Sequence, residues 1–196
     1  MSKAQPAPKV PNAPKVPAEM PPHESRTIRI VGAIDEDAYL AFSEEMAALE
    51  ADYSLKPIHI ELNSYGGEPS MGLAIADRVR CSSCPVHVSV YGEASSAATA
   101  ILAAGDYRSM SPYATALVHD NSFKFKGNNS QMQAHARQAE VDEEVWAEML
   151  ASTTLAPYET WRSLSAKSTL LNAQQCLQLG LVDYILKGKK RANSLR

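Results

Sequence analysis

The chain of 196 residues has little cysteine, little excess charge and no long apolar run, and each shortage excludes something. Three cysteines are an odd number, and no signal peptide opens the chain. A disulfide framework is therefore not expected, and the cytoplasm is the expected compartment. Nineteen Lys and Arg against 22 Asp and Glu leave a formal net charge of −3, which gives no whole-chain reason to expect nucleic acid as a partner. No apolar stretch approaches the ~20 residues that cross a membrane. No group of residues has the spacing of a metal site or of a phosphate-cradling loop, so neither a metal nor another cofactor is expected. Cys81 and Cys84 make a single CSSC pair, whereas zinc usually takes four ligands. They read as small residues where a helix ends ahead of Pro85.

What is present fits one domain with tails: 45% of the residues are apolar, ordinary for a globular chain. Residues 1–26 are Pro-rich, with APKVP at 7–11 repeated at 13–17, and read as a flexible, extended leader. The basic KGKKRANSLR ending makes 187–196 a second tail, so the folded domain is expected over 27–186.

Within that domain strands alternate with helices. TIRIV at 27–31 is a short strand. Asp35 opens a helix whose Tyr39, Phe42, Met46, Leu49 and Tyr53 recur at spacings of three and four. Ile58, Ile60 and Leu62 alternate with His59 and Glu61 and end at Asn63-Ser64-Tyr65-Gly66-Gly67, followed by a helix over 70–81. Extended segments are expected at 107–111, 115–119 and 123–127. A long helix follows Asn128-Asn129 to about Thr153, its Glu140, Asp142, Glu143, Glu144 and Glu148 read as a solvated face. Short helices at 157–164 and 172–179 and a strand at 181–186 close the domain. The alternation predicts an α/β fold with a largely parallel sheet. Ligands of such sheets sit beyond the carboxyl ends of the strands.

Three features fall on that edge: the Gly66-Gly67 turn, Ser95-Ser96 and His119. VHVSVYGEASSAATAILAAG at 86–105 reads as a strand broken by Gly92, a tight turn, and a helix of small residues. A serine at the turn is either a helix N-cap or a nucleophile beside free N–H groups and the positive helix end.

These residues resemble the proteolytic subunit of the Clp protease, within the wider Clp/crotonase superfamily. Asn63-Ser-Tyr-Gly-Gly67 is similar to that family's Asn-Ser-Pro-Gly-Gly, with Tyr65 for Pro. Gly92-Glu-Ala-Ser-Ser96-Ala resembles Gly-Gln-Ala-Ala-Ser-Met, and Leu117-Val-His119 resembles Met-Ile-His. Ala173 with Gly180-Leu-Val-Asp183 resembles the closing pattern. The resemblance spans Thr27 to Leu186 and implies a serine endopeptidase acting on peptides or unfolded proteins. It implies Ser96 as nucleophile, His119 as base, and the N–H groups of Gly67 and Ala97 as the oxyanion hole. It further implies a homo-oligomer of one or two stacked rings, with the helix at 129–153 as a protruding handle. Substrate is expected to pair as an extended strand along Gly66–Pro69 and Ser122–Lys126, beside Phe125. The chain itself would bind no ATP.

Two departures are visible. The family's triad Asp falls at Ser168, and no carboxylate lies between Glu159 and Asp183. Losing that acid costs about 10⁴ in kcat in a Ser-His-Asp enzyme. Ser168 or Asn172 orienting the imidazole, Asp120 or a neighbouring subunit's carboxylate, a Ser-Lys pairing with Lys167, or an inactive assembly subunit are the alternatives. The family's aromatic docking positions for hexameric ATPases are His59 and Glu61 here, and the leader stands where an axial loop would be. Both argue against such an ATPase partner and leave room for a self-acting or bacteriophage-type maturation peptidase. A crotonase-type acyl-CoA enzyme would share the glycine turn, but the chain is short for one and a crotonase needs no Ser-His pair.

Overall fold

The computed structural model describes residues 26–120 and 126–187. The Pro-rich leader to residue 25, the tail from 188, and the Phe123 and Phe125 segment lie outside the described residues.

Five parallel strands form the main sheet in the order β1 (Thr27–Ile34), β2 (Ile58–Gly67), β3 (Val86–Ser95), β4 (Tyr107–Met110) and β7 (Tyr184–Ile185). One face is apolar by strict alternation: Ile28, Ile30, Ile58, Ile60, Leu62, Val86, Val88 and Val90 are all buried. Against the sheet pack α1 (Glu36–Glu50), α2 (Pro69–Arg80) and α3 (Ala97–Ala104). Asp35 caps α1 by accepting from Ala38 N at 2.9 Å, and Phe42 and Met46 are its buried face. Tyr53, which the spacing put on that face, lies beyond the helix end and is exposed. All eight residues of α3, Ile101 and Leu102 included, are buried between α2 and the sheet.

Gly92 does not end the third strand. β3 runs ten residues and changes neighbour at the glycine, pairing with β4 over His87–Val90 and with β5 (Thr115–Val118) over Glu93–Ser95. With φ of 102° Gly92 supplies the bend, and its missing side chain leaves room for the Asn63 carboxamide, which accepts from Glu93 N at 3.2 Å.

The remainder comprises α4 (Asn129–Thr153), α5 (Tyr158–Ala166), β6 (Thr169–Asn172) and α6 (Ala173–Leu179). Asn128 and Gln131 make a capping box at the start of α4. Only Ala147 and Leu150 of α4 are buried, so its first turns stand clear of the body. β6 pairs antiparallel with β5, a strand of four residues too short to show a period in the sequence. The closing strand is likewise shorter than expected: Leu181 and Val182 are buried but precede it. Asp183 fixes it by taking Arg108 Nη2 at 2.7 Å, Arg108 Nε at 3.1 Å and Arg108 N at 2.7 Å. Among the described residues no helix is long and apolar enough to cross a membrane.

Candidate active site

Ser96 joins β3 to α3 with φ 54° and ψ −124°. This is the first central position of a type II′ turn, which glycine favours and which costs another residue about 1–3 kcal/mol. Its neighbours enforce it. Ser96 N donates to Leu117 O on β5 at 2.8 Å, and Ser96 O accepts from Thr99 N at 2.9 Å and Thr99 Oγ1 at 2.7 Å. Ser96 occupies the cap position of α3, yet its hydroxyl makes no capping bond. The adjacent Ser95 is different: it is buried and donates to Glu93 Oε2 at 2.7 Å. Of the two serines, Ser96 alone lines the cleft at this edge.

The glycine turn is pressed onto this elbow. A Cβ on Gly66, whose φ is 96°, would lie 2.6 Å from Ser95 O, 2.7 Å from Ser96 Cβ and 3.1 Å from Ala97 N. Ser64 latches the turn, donating to Gly32 O at 2.6 Å and accepting from Gly66 N at 3.0 Å. Glu68 N donates to Ile34 O at 2.8 Å. Gly67 lies in register with Ile34 of β1, and a Cβ on it would strike Ile34 O. Ala97 N opens α3, where helix N–H groups have no intrahelical partner. Tyr65, in the variable position of the turn, is exposed.

His119 follows β5 directly. The register Ser95↔Leu117 brings it to the same cleft, lined by Ser96, Ala97, Val118 and His119. Its Nδ1 lies 2.6 Å from Asp120 O. A carbonyl only accepts, so Nδ1 carries the hydrogen of this contact. Among the described residues no hydrogen bond joins Ser96 Oγ to the imidazole.

The other candidates separate. The β5–β6 ladder ends at Val118↔Thr169, with His119 and Ser168 each one residue beyond it; Ser168 is exposed, has φ 49°, and makes no side-chain hydrogen bond among the described residues. Asn172 is at the far end of β6, opposite Thr115, and its carboxamide caps α6 by accepting from Gln175 N at 2.9 Å. That capping box removes Asn172 from the imidazole. Lys167 caps α5 with its backbone, is exposed, and does not line the cleft. The Asp120 carboxylate is nearby, with Oδ1 buried and without a hydrogen-bond partner among the described residues; the basicity of Arg162 is raised first by its hydrogen bond to Glu143, with Asp120 the smallest contributor.

The profile of the Clp protease family matches residues 22–189. The chain belongs to the Clp protease family. Its fold is that of a ClpP1 mutant from Listeria monocytogenes, at a TM-score of 0.77 and 23% identity, over 85% of this chain and 94% of that one. The expected ClpP-like, Clp/crotonase-type architecture is therefore present.

Within this Clp-family chain, several cleft residues escaped the sequence reading. Glu143 is no merely solvated acid: it takes Arg162 Nη1 at 2.8 Å and lines the cleft together with Trp146, Pro69, Thr99 and Ser165. Glu143, Trp146, Ala147 and Leu150 form an i, i+3, i+4, i+7 stripe, the one signal that could have placed the acid inward. Gly66 and Gly72 escaped as packing residues; a Cβ on Gly72 would lie 2.8 Å from Ala97 O. Of the proposed substrate edges, Gly66–Gly67 is paired with β1 on one side, while residues 122–125 lie outside the described residues.

Proposed function

We propose that this ClpP-like chain is a serine endopeptidase in which Ser96 and His119 work as a pair. The observation that carries this is Ser96 itself: a non-glycine residue in a glycine conformation, tied at both backbone ends, with its hydroxyl kept out of the cap. Such elbows expose a nucleophile at the top of a sheet. In the reaction His119 Nε2 takes the Ser96 proton as Oγ bonds the substrate carbonyl carbon. The developing oxyanion meets Gly67 N–H and Ala97 N–H. Collapse breaks the C–N bond, and the proton passes from His119 to the leaving amine. Water then hydrolyses the acyl-serine by the same steps.

Asp120 O supports the role otherwise held by a triad carboxylate, since it fixes the imidazole tautomer. A carbonyl gives the imidazolium less stabilisation than a carboxylate, so a slow peptidase is the expected phenotype. The projecting first turns of α4 support a ring in which they interdigitate between copies.

A stoichiometric adduct of a fluorophosphonate probe on Ser96, lost in Ser96→Ala, tests this reading. Equal labelling of that variant would overturn it. The exposed Ser168 favours one rival, a catalytically weak or inactive assembly subunit. That rival predicts a large oligomer with neither labelling nor peptide cleavage.

A further inference from the structure

Among the described residues, Asp120 is the one acid with a buried carboxylate oxygen, Oδ1, that has no hydrogen-bond partner. Such an oxygen is costly, and native proteins keep few of them without a use. The backbone of Asp120 is pinned on both sides. Its N–H donates to Ser165 O of α5 at 3.2 Å, and its carbonyl holds His119 Nδ1 at 2.6 Å. Three bonds separate that carbonyl carbon from the carboxyl carbon, so the carboxyl carbon stays within about 5 Å of the oxygen that holds the ring.

The charges around it do not balance. From α5 comes Arg162, one turn before Ser165, and from α4 comes Glu143, which takes Arg162 Nη1 at 2.8 Å. Tyr158 and Asp120 both support the basicity of that same guanidinium. From β3, Glu93 takes the Ser95 hydroxyl, and Lys167 is exposed and does not line the cleft. Two carboxylates, Asp120 and Glu143, thus share one guanidinium. A neutral imidazole leaves one negative charge over; a protonated one cancels it.

We infer that the Asp120 carboxylate is the charge partner of His119, a positioning residue that stabilises the imidazolium formed when the base takes the Ser96 proton. The inference rests on the peptidase reading above and deepens it. The proton moves from Ser96 Oγ to Nε2, the ring becomes a cation, and the carboxylate stays ionised and takes no proton. Nδ1 keeps its bond to the Asp120 carbonyl throughout. The carboxylate acts through space beside that neutral contact. An opposite charge within about 4–6 Å favours the charged form of an ionisable group and moves its pKa by about 1–3.

The test follows His119 itself in the full chain. Its ring Cε1–H resonance, identified by its loss in His119→Gln, is titrated by NMR between pH 5 and 9. Asp120→Asn keeps the backbone carbonyl and removes only the charge. Its His119 midpoint is expected about one pH unit below that of the wild type. Its plateau rate of fluorophosphonate labelling at Ser96 is expected to be slower by about threefold to tenfold. Its urea midpoint is expected at or above that of the wild type, which a merely structural Asp120 would not allow. Arg162→Gln leaves both carboxylates to the imidazole and is expected to raise the His119 midpoint, so it decides the point if Asp120→Asn does not fold. A midpoint unmoved in both variants would overturn the inference, whether or not Ser96 labels. A lowered midpoint with an unchanged labelling plateau would overturn the role in the reaction. The expected midpoints without any labelling of the wild type would overturn the peptidase reading and leave the pairing of Asp120 with His119 standing.

Discussion

Gly66→Ala puts one methyl group where the elbow has no room for it. Two effects separate cleanly. The first is conformational: at φ 96° an alanine costs about 1–2 kcal/mol in stability. The second is steric. The new Cβ would lie 2.6 Å from Ser95 O and 2.7 Å from Ser96 Cβ, most of an ångström inside ordinary contact. Neither neighbour is a flexible side-chain end, so the elbow must move. Displacing a reacting group by about 1 Å costs on the order of 10² in rate. Gly32 is the control. It has φ 85°, and a Cβ there meets nothing within 4 Å. Gly32→Ala should therefore lose the same 1–2 kcal/mol and keep its rate. The assay is urea unfolding of both variants, set beside the rate of fluorophosphonate labelling of Ser96. Labelling of Gly66→Ala at the wild-type rate, or an equal loss in both variants, would refute the claim that glycine closeness positions the nucleophile.

Further outcomes follow from the same geometry. Ser168 and His119 each lie one residue beyond the last pair Val118↔Thr169, and Ser168 has φ 49°, a conformation Asp tolerates; Ser168→Asp should raise kcat at least tenfold and move the acidic limb of the pH–rate profile upward. An unchanged kcat would show that Asp120 O already fills that role or that residue 168 does not reach the imidazole. His87 is buried, its ring nitrogens unpartnered, between His59 and Tyr107, and burial first, then the nearby His59, lowers its pKa from 6.5 to about 4. The unfolded chain then takes up a proton that the native one refuses, so stability is full above pH 6.5 and falls by about 1.4 kcal/mol per pH unit down to pH 4. Urea unfolding between pH 7.5 and 4.5 should show roughly 3 kcal/mol of loss, and His87→Phe should flatten most of it; identical pH curves for the two proteins would count against this. Asp183→Ala strands Arg108, whose side chain is 11% exposed, and should cost about 3 kcal/mol in chemical unfolding while the labelling rate at Ser96 persists.

The parallel sheet was legible because its strands are buried on one face and alternate strictly, and the helices because Asp35 and Asn128 cap them with sequence-local bonds. The site edge was legible for the same reason: strand ends are where the topology gathers chemistry. What escaped was non-local. Gly92 signals a break in any single-chain reading, and only the switch from β4 to β5 shows that the strand continues. Asn172 looked available to the imidazole because sequence does not say which end of a four-residue strand lies opposite which. Glu143 sat among five acids on one helix, and its partner is nineteen residues away on α5. Ser168 falls just before β6, beyond the last pair Val118↔Thr169, and its exposure could not be read from residue types.

The elbow also bears on whether this chain is an enzyme or only a subunit. A ring-forming subunit needs the sheet, the α4 projection and the α3 packing, and none of these requires Ser96 to adopt a glycine conformation. A glycine at that position would relieve about 1–3 kcal/mol. The strain persists because Leu117 O, Thr99 and the closeness of Gly66 over-determine it, and its local consequence is a hydroxyl withdrawn from the cap and set at the cleft. On the proposed peptidase reading, the elbow at Ser96 and the anchoring of His119 Nδ1 are both built from backbone carbonyls and N–H groups. The resemblance puts the remaining departure at the side chain of residue 168. The expected enzyme is therefore one with its nucleophile and oxyanion donors preorganised and its base held by a neutral acceptor. Placing an acid at 168 should then raise kcat while leaving KM for a peptide substrate unchanged.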